Sequence, residues 1–349
     1  MNKTKNWIKV IFLILIGSLV AFYFRSEESA SFQNPPQNII SEETDTLRKT
    51  EAPKIVGIDT ADFDKRVRLL AHDSIPKPWQ VFSIYPQKGA LLPFYRIVAM
   101  YGNFYSKHMG ILGRASEEEL LTLFQQELDA WNQADTLTPA IPAVHYIAIT
   151  AQRNPGKDSL YRIRMPEAQV QKAIQLGRDL KGITFLDIQV GHSTVDRELP
   201  TLEKYLLEQD VHVGIDPEWS MKDGHAPGTK IGTLDATAIN FAIQYLSQLV
   251  IDHALNPKIL VIHRFTRAMI TNSSKIVATP QVQVVINMDG FGFPAKKVDS
   301  YRGFVGGMPV QFTGIKLFYI NDKLTPPYRL MTPQEILRLY PKPIYIQYQ

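Results

Sequence analysis

"VHVGIDPEWS", Val211–Ser220, is a run of β-branched and apolar residues that ends in two carboxylates, Asp216 and Glu218, with Trp219 directly after them. Side chains alternate faces along a strand, so Asp216 and Glu218 share a face with Gly214 and His212, while Val211, Val213 and Ile215 share the other. Pro217, between the acids, points away from them, and its missing N–H suits a strand that is ending. A strand apolar on one face and polar at the C-terminal tip of the other is a buried parallel strand that ends in a site.

Seven other runs share this character: "YRIVAMYG" from Tyr95, "AVHYIAIT" from Ala143, "ITFLDIQVG" from Ile183, "KILVIHRF" from Lys258, "VQVVINMDG" from Val282, "TGIKLFYI" from Thr313 and "PIYIQYQ" from Pro343. Between them lie amphipathic stretches with apolar spacings of three and four, such as "SEEELLTLFQQELDAWNQ", which opens with a Ser cap and three glutamates. The links after the fifth and sixth strands are weaker and predict short helices or loops. Eight strands alternating with helices predict an α/β fold of the (β/α)8 TIM-barrel type over residues 88–349. An open doubly wound sheet is the rival, but "YGNFYSKHMG" after the first strand has no G-x-G-x-x-G phosphate turn.

In such barrels the active site lies at the C-terminal ends of the strands. Alternation places Asp187 and Gln189, Asp216 and Glu218, Asn287 and Asp289, and Gln347 on the inward face there. His263 and Arg264 end the fifth strand and Lys316 lies on the seventh; which of these point inward is left open by a pattern apolar on both sides. His145, His212 and His253 read as packed or surface histidines. His192 and His225 lie in loops within reach of a ligand.

The chain has 349 residues, 45% hydrophobic and 21% charged, enough for a large core. A net charge of +4 without a basic stripe gives no footprint for nucleic acid. The absence of cysteine excludes disulfides, thiolate metal sites, a cysteine nucleophile and a lipid-bearing N-terminal Cys. Lys3, Lys5 and Lys9 precede the apolar run "VIFLILIGSLVAFYF", so residues 1–24 read as a cytoplasmic stub and a single-pass transmembrane anchor. This puts the barrel on the extracytoplasmic side of the cell membrane; the alternative is secretion after signal cleavage. Residues 25–87 are polar and proline-containing, a flexible tether with a lead-in to the barrel.

Carboxylates that converge in a low-dielectric cavity are pushed to unlike pKa values, which is what glycoside hydrolysis requires of its acid and its partner. Glu218, outermost, is the candidate acid, with Asp216 and Asp289 as catalytic partners. Asp187, Gln189, Asn287, Gln347, His263 and Arg264 are candidate substrate contacts, and Trp219, Tyr101 and Tyr319 candidate stacking faces for sugars. No H-x-H or H-E-x-x-H pairing is present, so neither metal nor cofactor is expected, and no G-x-S-x-G marks a serine hydrolase.

The D-x-E of Asp216 and Glu218 is similar to the end of the D-x-x-D-x-D-x-E signature of chitinase-like family 18 glycoside hydrolases, with Val211 and Gly214 where the earlier aspartates would stand. Family 25 lysozyme-like barrels carry D-x-E at the same place. The resemblance implies that Glu218 is the acid, that Asp216 steers a substrate acetamido group, and that Asp289 in "INMDG" assists. More broadly, "FLDIQVGHSTV", "VHVGIDPEWSM", "ILVIHRFT", "VVINMDGFG" and "YIQYQ" resemble an uncharacterised family of bacterial extracytoplasmic barrel proteins, which implies fold and location but no reaction. The expected function is therefore a glycoside hydrolase-like enzyme on envelope or extracellular polysaccharide. The alternative is a non-catalytic carbohydrate-binding or envelope-interaction barrel.

Overall fold

The computed structural model describes residues 57–73 and 84–349. The expected anchor at 1–24 and most of the expected tether lie outside these residues. Among the described residues no helix is long and apolar enough to cross a membrane.

The eight expected strands are present: β1 (Arg96–Gly102), β2 (Ala140–Ala151), β3 (Ile183–Ile188), β4 (Val211–Ile215), β5 (Lys258–Arg264), β6 (Val282–Met288), β7 (Phe312–Leu317) and β8 (Tyr345–Tyr348). Each pairs in parallel with its sequence neighbour, and β1 pairs with both β2 and β8, so the sheet closes into a barrel. A short antiparallel strand, Arg162–Arg164, adds to the end of β2.

The helical layer is uneven. Helix α2 (Glu117–Ala134) starts where expected, because Ser116 and Glu119 form a reciprocal capping box. Helices α3 (Glu167–Asp179) and α4 (Ala236–Asp252) follow β2 and β4, the latter capped by Asp235. After β5 there is only a bridging pair of residues and a single 3-10 turn; after β6 comes α5 (Pro294–Tyr301).

The closed sheet separates two apolar cores. The outer core joins the outward faces of the strands to the helices, with Leu186, Val213, Ile262, Ile286 and Ile346 against Phe124, Trp131, Ile174 and Ile243. The inner core fills the N-terminal half of the barrel with Ile97, Ala99, Ala143, Phe185, Ile259, Val261, Val285, Phe312 and Tyr345. That end is sealed from within residues 57–73. Helix α1 (Thr60–Leu70), capped by Asp59, buries Phe63, Val67 and Leu70 in the inner core. Its C-terminal end is tied down where the amide of Lys342 donates to the Leu70 carbonyl at 2.8 Å. In this mostly apolar lower interior His212 and Gln283 are buried with their polar atoms bonded to the Ile259 amide and to Leu92, and the charged groups gather in the upper layer, at the C-terminal strand ends.

Phe63 is fully buried, so Phe63→Ala is expected to cost about 3–5 kcal/mol, the usual range for truncating a core aromatic. Urea denaturation of the full-length chain measures it. A loss within the scatter of surface substitutions, about 0.5 kcal/mol, would mean that the helix does not seal the barrel.

Candidate active site

The upper interior is built in two layers, and the lower one is fully buried. Strand register sets Tyr101 opposite His145, Asp187 opposite Gly214, and His263 opposite Asn287. Gly214 is the decisive position. It offers no side chain between β3 and β5, so Asp187 reaches across it to His263, while His145 leans in from β2 on the other side of Asp187. A Cβ on Gly214 would lie 2.3 Å from Asp187 Oδ1 and 2.4 Å from His145 Nε2, an impossible approach for any other residue.

From this crossing a row of charges runs around the barrel. Asp187 Oδ1 is 3.2 Å from His145 Nε2 and 3.4 Å from His263 Nε2. The other side of His263 faces Asp289, with Nδ1 3.0 Å from Oδ2, and Lys316 Nζ lies 3.1 Å from Asp289 Oδ1. Tyr101 closes the row: its hydroxyl donates to Asp187 Oδ2 at 2.8 Å, and Lys316 Nζ stands 3.7 Å from its ring centroid. Asn287 donates to Gln347 at 3.3 Å, and Gln347 to the Tyr345 hydroxyl at 2.9 Å.

Above this floor opens a cavity of about 560 Å³. It is lined by Gln189, Asp216, Glu218, Trp219, Asp289 and Lys316, with Phe265, Phe291 and Phe318 as apolar walls. Asp216 ends β4 and caps the 3-10 turn Pro217–Trp219, accepting from the Glu218 amide at 3.1 Å. That turn presents Glu218 and Trp219 to the cavity. The returning loop holds it in place: the Gly232 amide donates to the Glu218 carbonyl at 2.6 Å, and a Cβ on Gly232 would meet the carbonyl oxygens of Pro217, Glu218 and Ser220, each at 2.6 Å.

The electrostatics differ between the layers. Burial alone would raise the Asp187 carboxyl, but the imidazoles of His263 and His145 outweigh it and hold it well below the ordinary carboxylate range. Burial would likewise raise Asp289, but Lys316 and His263 hold it below its usual value. His263 is raised to about 10, because the two aspartates beside it overcome its own desolvation. His145 is lowered to about 4, chiefly by burial. Asp216 and Glu218 have no cation bound to them. Burial, followed by repulsion from neighbouring carboxylates, pushes Asp216 up to about 7, though His263 and Lys316 pull the other way. Burial and repulsion from Asp216 and Asp289 push Glu218 up to about 8. At neutral pH Glu218 keeps its proton.

Of the residues named from sequence, Glu218, Asp216, Asp289, Gln189, Trp219 and Tyr101 line the cavity, while Asp187, His263, Asn287 and Gln347 form the floor. Two lie elsewhere. Arg264 has outward parity on β5 and donates to the carbonyls of Thr266 and Arg267. Tyr319 also faces outward, stacked on Tyr348 with its hydroxyl donating to Glu127. Tyr101 is a floor residue rather than a free stacking face, since Lys316 covers its ring. His192 is occupied too, stacked on Tyr161 and bonded to the His225 carbonyl at 2.8 Å.

His145, read from sequence as a packed histidine, is central to the floor; "AVHYIAIT" is apolar on both faces, so alternation carried no signal. Lys316 was hidden in the same way, and His108, Phe265, Phe291 and Phe318 reach the cavity from beyond the strand ends. Among the described residues, His145, Asp187 and His263 form the cluster with metal-ligand spacing, one donor atom from each lying within 4.8 Å of the others. No protein-family model matches the chain, and no curated protein is similar to it.

The raised Glu218 carboxyl makes stability depend on pH. Its contribution is fully present below the ordinary value of 4.5 and is lost as pH rises through about 8, because only the unfolded chain ionises freely in between. Glu218→Gln cannot ionise. Its melting temperature is expected to match wild type at pH 5 and exceed it at pH 9, as read by calorimetry; parallel curves at the two pH values would contradict the assignment.

Proposed function

We propose that this protein is a glycoside hydrolase-like enzyme in which Glu218 donates a proton to a glycosidic oxygen. The observation that carries the reading is a carboxyl buried beside Asp216 and Asp289, surroundings that push it up to about 8, and presented by a bonded turn beside Trp219 to a cavity with aromatic walls. Asp216, next to it, favours the protonated form of Glu218 by repulsion. Asp289, ion-paired with Lys316 at the same cavity, is the carboxylate that faces positive charge as it develops on the sugar ring.

In this scheme Glu218 gives its proton to the leaving oxygen as the bond from that oxygen to the anomeric carbon breaks. The tip of β7 carries Lys316 and Phe318 and no carboxylate. That absence favours substrate assistance or no catalysis. The family 18 resemblance implies the former, with the substrate's own 2-acetamido oxygen attacking the anomeric carbon as the leaving oxygen departs and water then completing hydrolysis, and with N-acetylhexosamine polymers as the substrate class. The apolar segment at 1–24 supports a cell-envelope or extracellular glycan as the polymer encountered.

Trp219 and the three phenylalanines support ring stacking, which suits glycan binding as well as cleavage. The full-length chain and its Glu218→Gln variant, compared for reducing-end release from peptidoglycan and chitin oligomers, separate the two. The expected result is a loss of release of about 10²–10⁴-fold, the range for a general acid, with binding retained. The wild-type rate should be flat below pH 8 and fall above it, since the donor must be protonated. Binding without release in both proteins would make this a non-catalytic carbohydrate receptor.

A further inference from the structure

The floor contains polar atoms that the hydrolytic scheme does not use. His145, Asp187 and His263 have no solvent exposure. Although His145 Nε2 and His263 Nε2 lie 3.2 and 3.4 Å from Asp187 Oδ1, none of these three atoms makes a hydrogen bond. The nitrogens are close to the oxygen, but their N–H directions miss it. Leaving a buried polar atom without a hydrogen bond costs about 1–3 kcal/mol each, so three together call for an occupant.

The separations identify one. Metal–nitrogen and metal–oxygen bonds of about 2.0–2.2 Å at a near-tetrahedral angle place donor atoms about 3.3–3.5 Å apart. In a ligand set of that geometry the lone pairs point to a common centre rather than at the neighbouring ligand, which accords with three donor atoms within 4.8 Å of one another that make no hydrogen bond. The surrounding groups fit as well. His145 Nδ1 is 2.5 Å from the Tyr345 hydroxyl, His263 Nδ1 is 3.0 Å from Asp289 Oδ2, and Asp187 Oδ2 accepts from Tyr101 at 2.8 Å. His145 and Asp187 are thus held through the atom they do not offer, the arrangement that orients metal ligands elsewhere, while His263 Nδ1 faces Asp289 Oδ2 without a hydrogen bond. Gly214 lets Asp187 Oδ1 and His145 Nε2 come together against its backbone, where a Cβ would lie 2.3 and 2.4 Å from them.

We propose that His145 Nε2, Asp187 Oδ1 and His263 Nε2 bind one divalent transition-metal ion of the zinc type beneath the cavity floor. Two imidazoles and one carboxylate suit zinc, cobalt or iron; calcium and magnesium prefer all-oxygen sets. An ion bound here would take the place of the His263 imidazolium as the cation facing Asp187, and its readout, metal content, is separate from glycan release, so failure of one reading is distinguishable from failure of the other.

The test uses the full-length chain purified without chelator, dialysed against zinc, passed over a desalting column and analysed for metal. The expected result is one equivalent retained by wild type and by the surface variant His225→Ala, and lost in Asp187→Asn and His145→Gln. Tyr345→Phe, which removes a group that orients His145, should weaken zinc affinity about 10–100-fold. Cobalt-loaded wild type should show the intense visible bands of a four-coordinate ion, which decides the matter even if the ligand variants fail to fold. Wild type without retained zinc would overturn the proposal in favour of an imidazolium at His263 bridging the two aspartates. Weak six-coordinate cobalt bands, or metal lost with His225→Ala, would overturn it in favour of a surface ion.

Discussion

The ion-paired row from Asp187 through His263 and Asp289 to Lys316 is the constraint around which the upper barrel is organised. Charges so deeply buried are tolerable only when paired, because each desolvated ion alone costs several kcal/mol. All four side chains are at most 8% exposed, and every member faces an opposite partner. With both nearby cations bound to Asp187 and Asp289, none is left to pair with Asp216 and Glu218. Burial next to negative charge pushes both carboxyls up, Glu218 to about 8 and Asp216 to about 7. The acidity of the cavity is thus a consequence of the pairing beneath it.

That row can form only because the barrel is built around it. Gly214 lets Asp187 lean across β4, and parallel register brings β2, β3 and β5 to the same height. Below, mostly aliphatic and aromatic side chains and helix α1 fill the interior, so the charged groups have one end at which to gather. A metal ion at the His145–Asp187–His263 crossing would stand in for the His263 imidazolium, a cation supplied from outside where the chain places donor atoms without hydrogen bonds.

Much of this was legible in the chain before any coordinates. The eight strands were visible because β-branched runs alternate with helical spacing, and closure followed from their number. Asp187, Gln189, Asp216, Glu218, Asn287, Asp289 and Gln347 could be turned inward because polar and apolar residues alternate around them. Where both faces of a strand are buried, that signal disappears. "AVHYIAIT", "KILVIHRF" and "TGIKLFYI" hide His145, His263 and Lys316 among residues equally apolar on either side. Arg264 and Tyr319 lie one residue out of phase with the interior, so a one-residue ambiguity became a wrong face. The phenylalanine walls come from beyond the strand ends, whose paths no local periodicity encodes. Helix α1 was read as part of a polar lead-in because its three core residues are spread among charged ones in "TADFDKRVRLL".

The central claim, that the buried row leaves Glu218 protonated at neutral pH, is tested most directly by titrating its carboxyl carbon by ¹³C NMR, with Glu218→Gln to assign the signal. The account predicts a midpoint near pH 8. A midpoint near the ordinary 4.5 would contradict it, and with it the role of Glu218 as a proton donor.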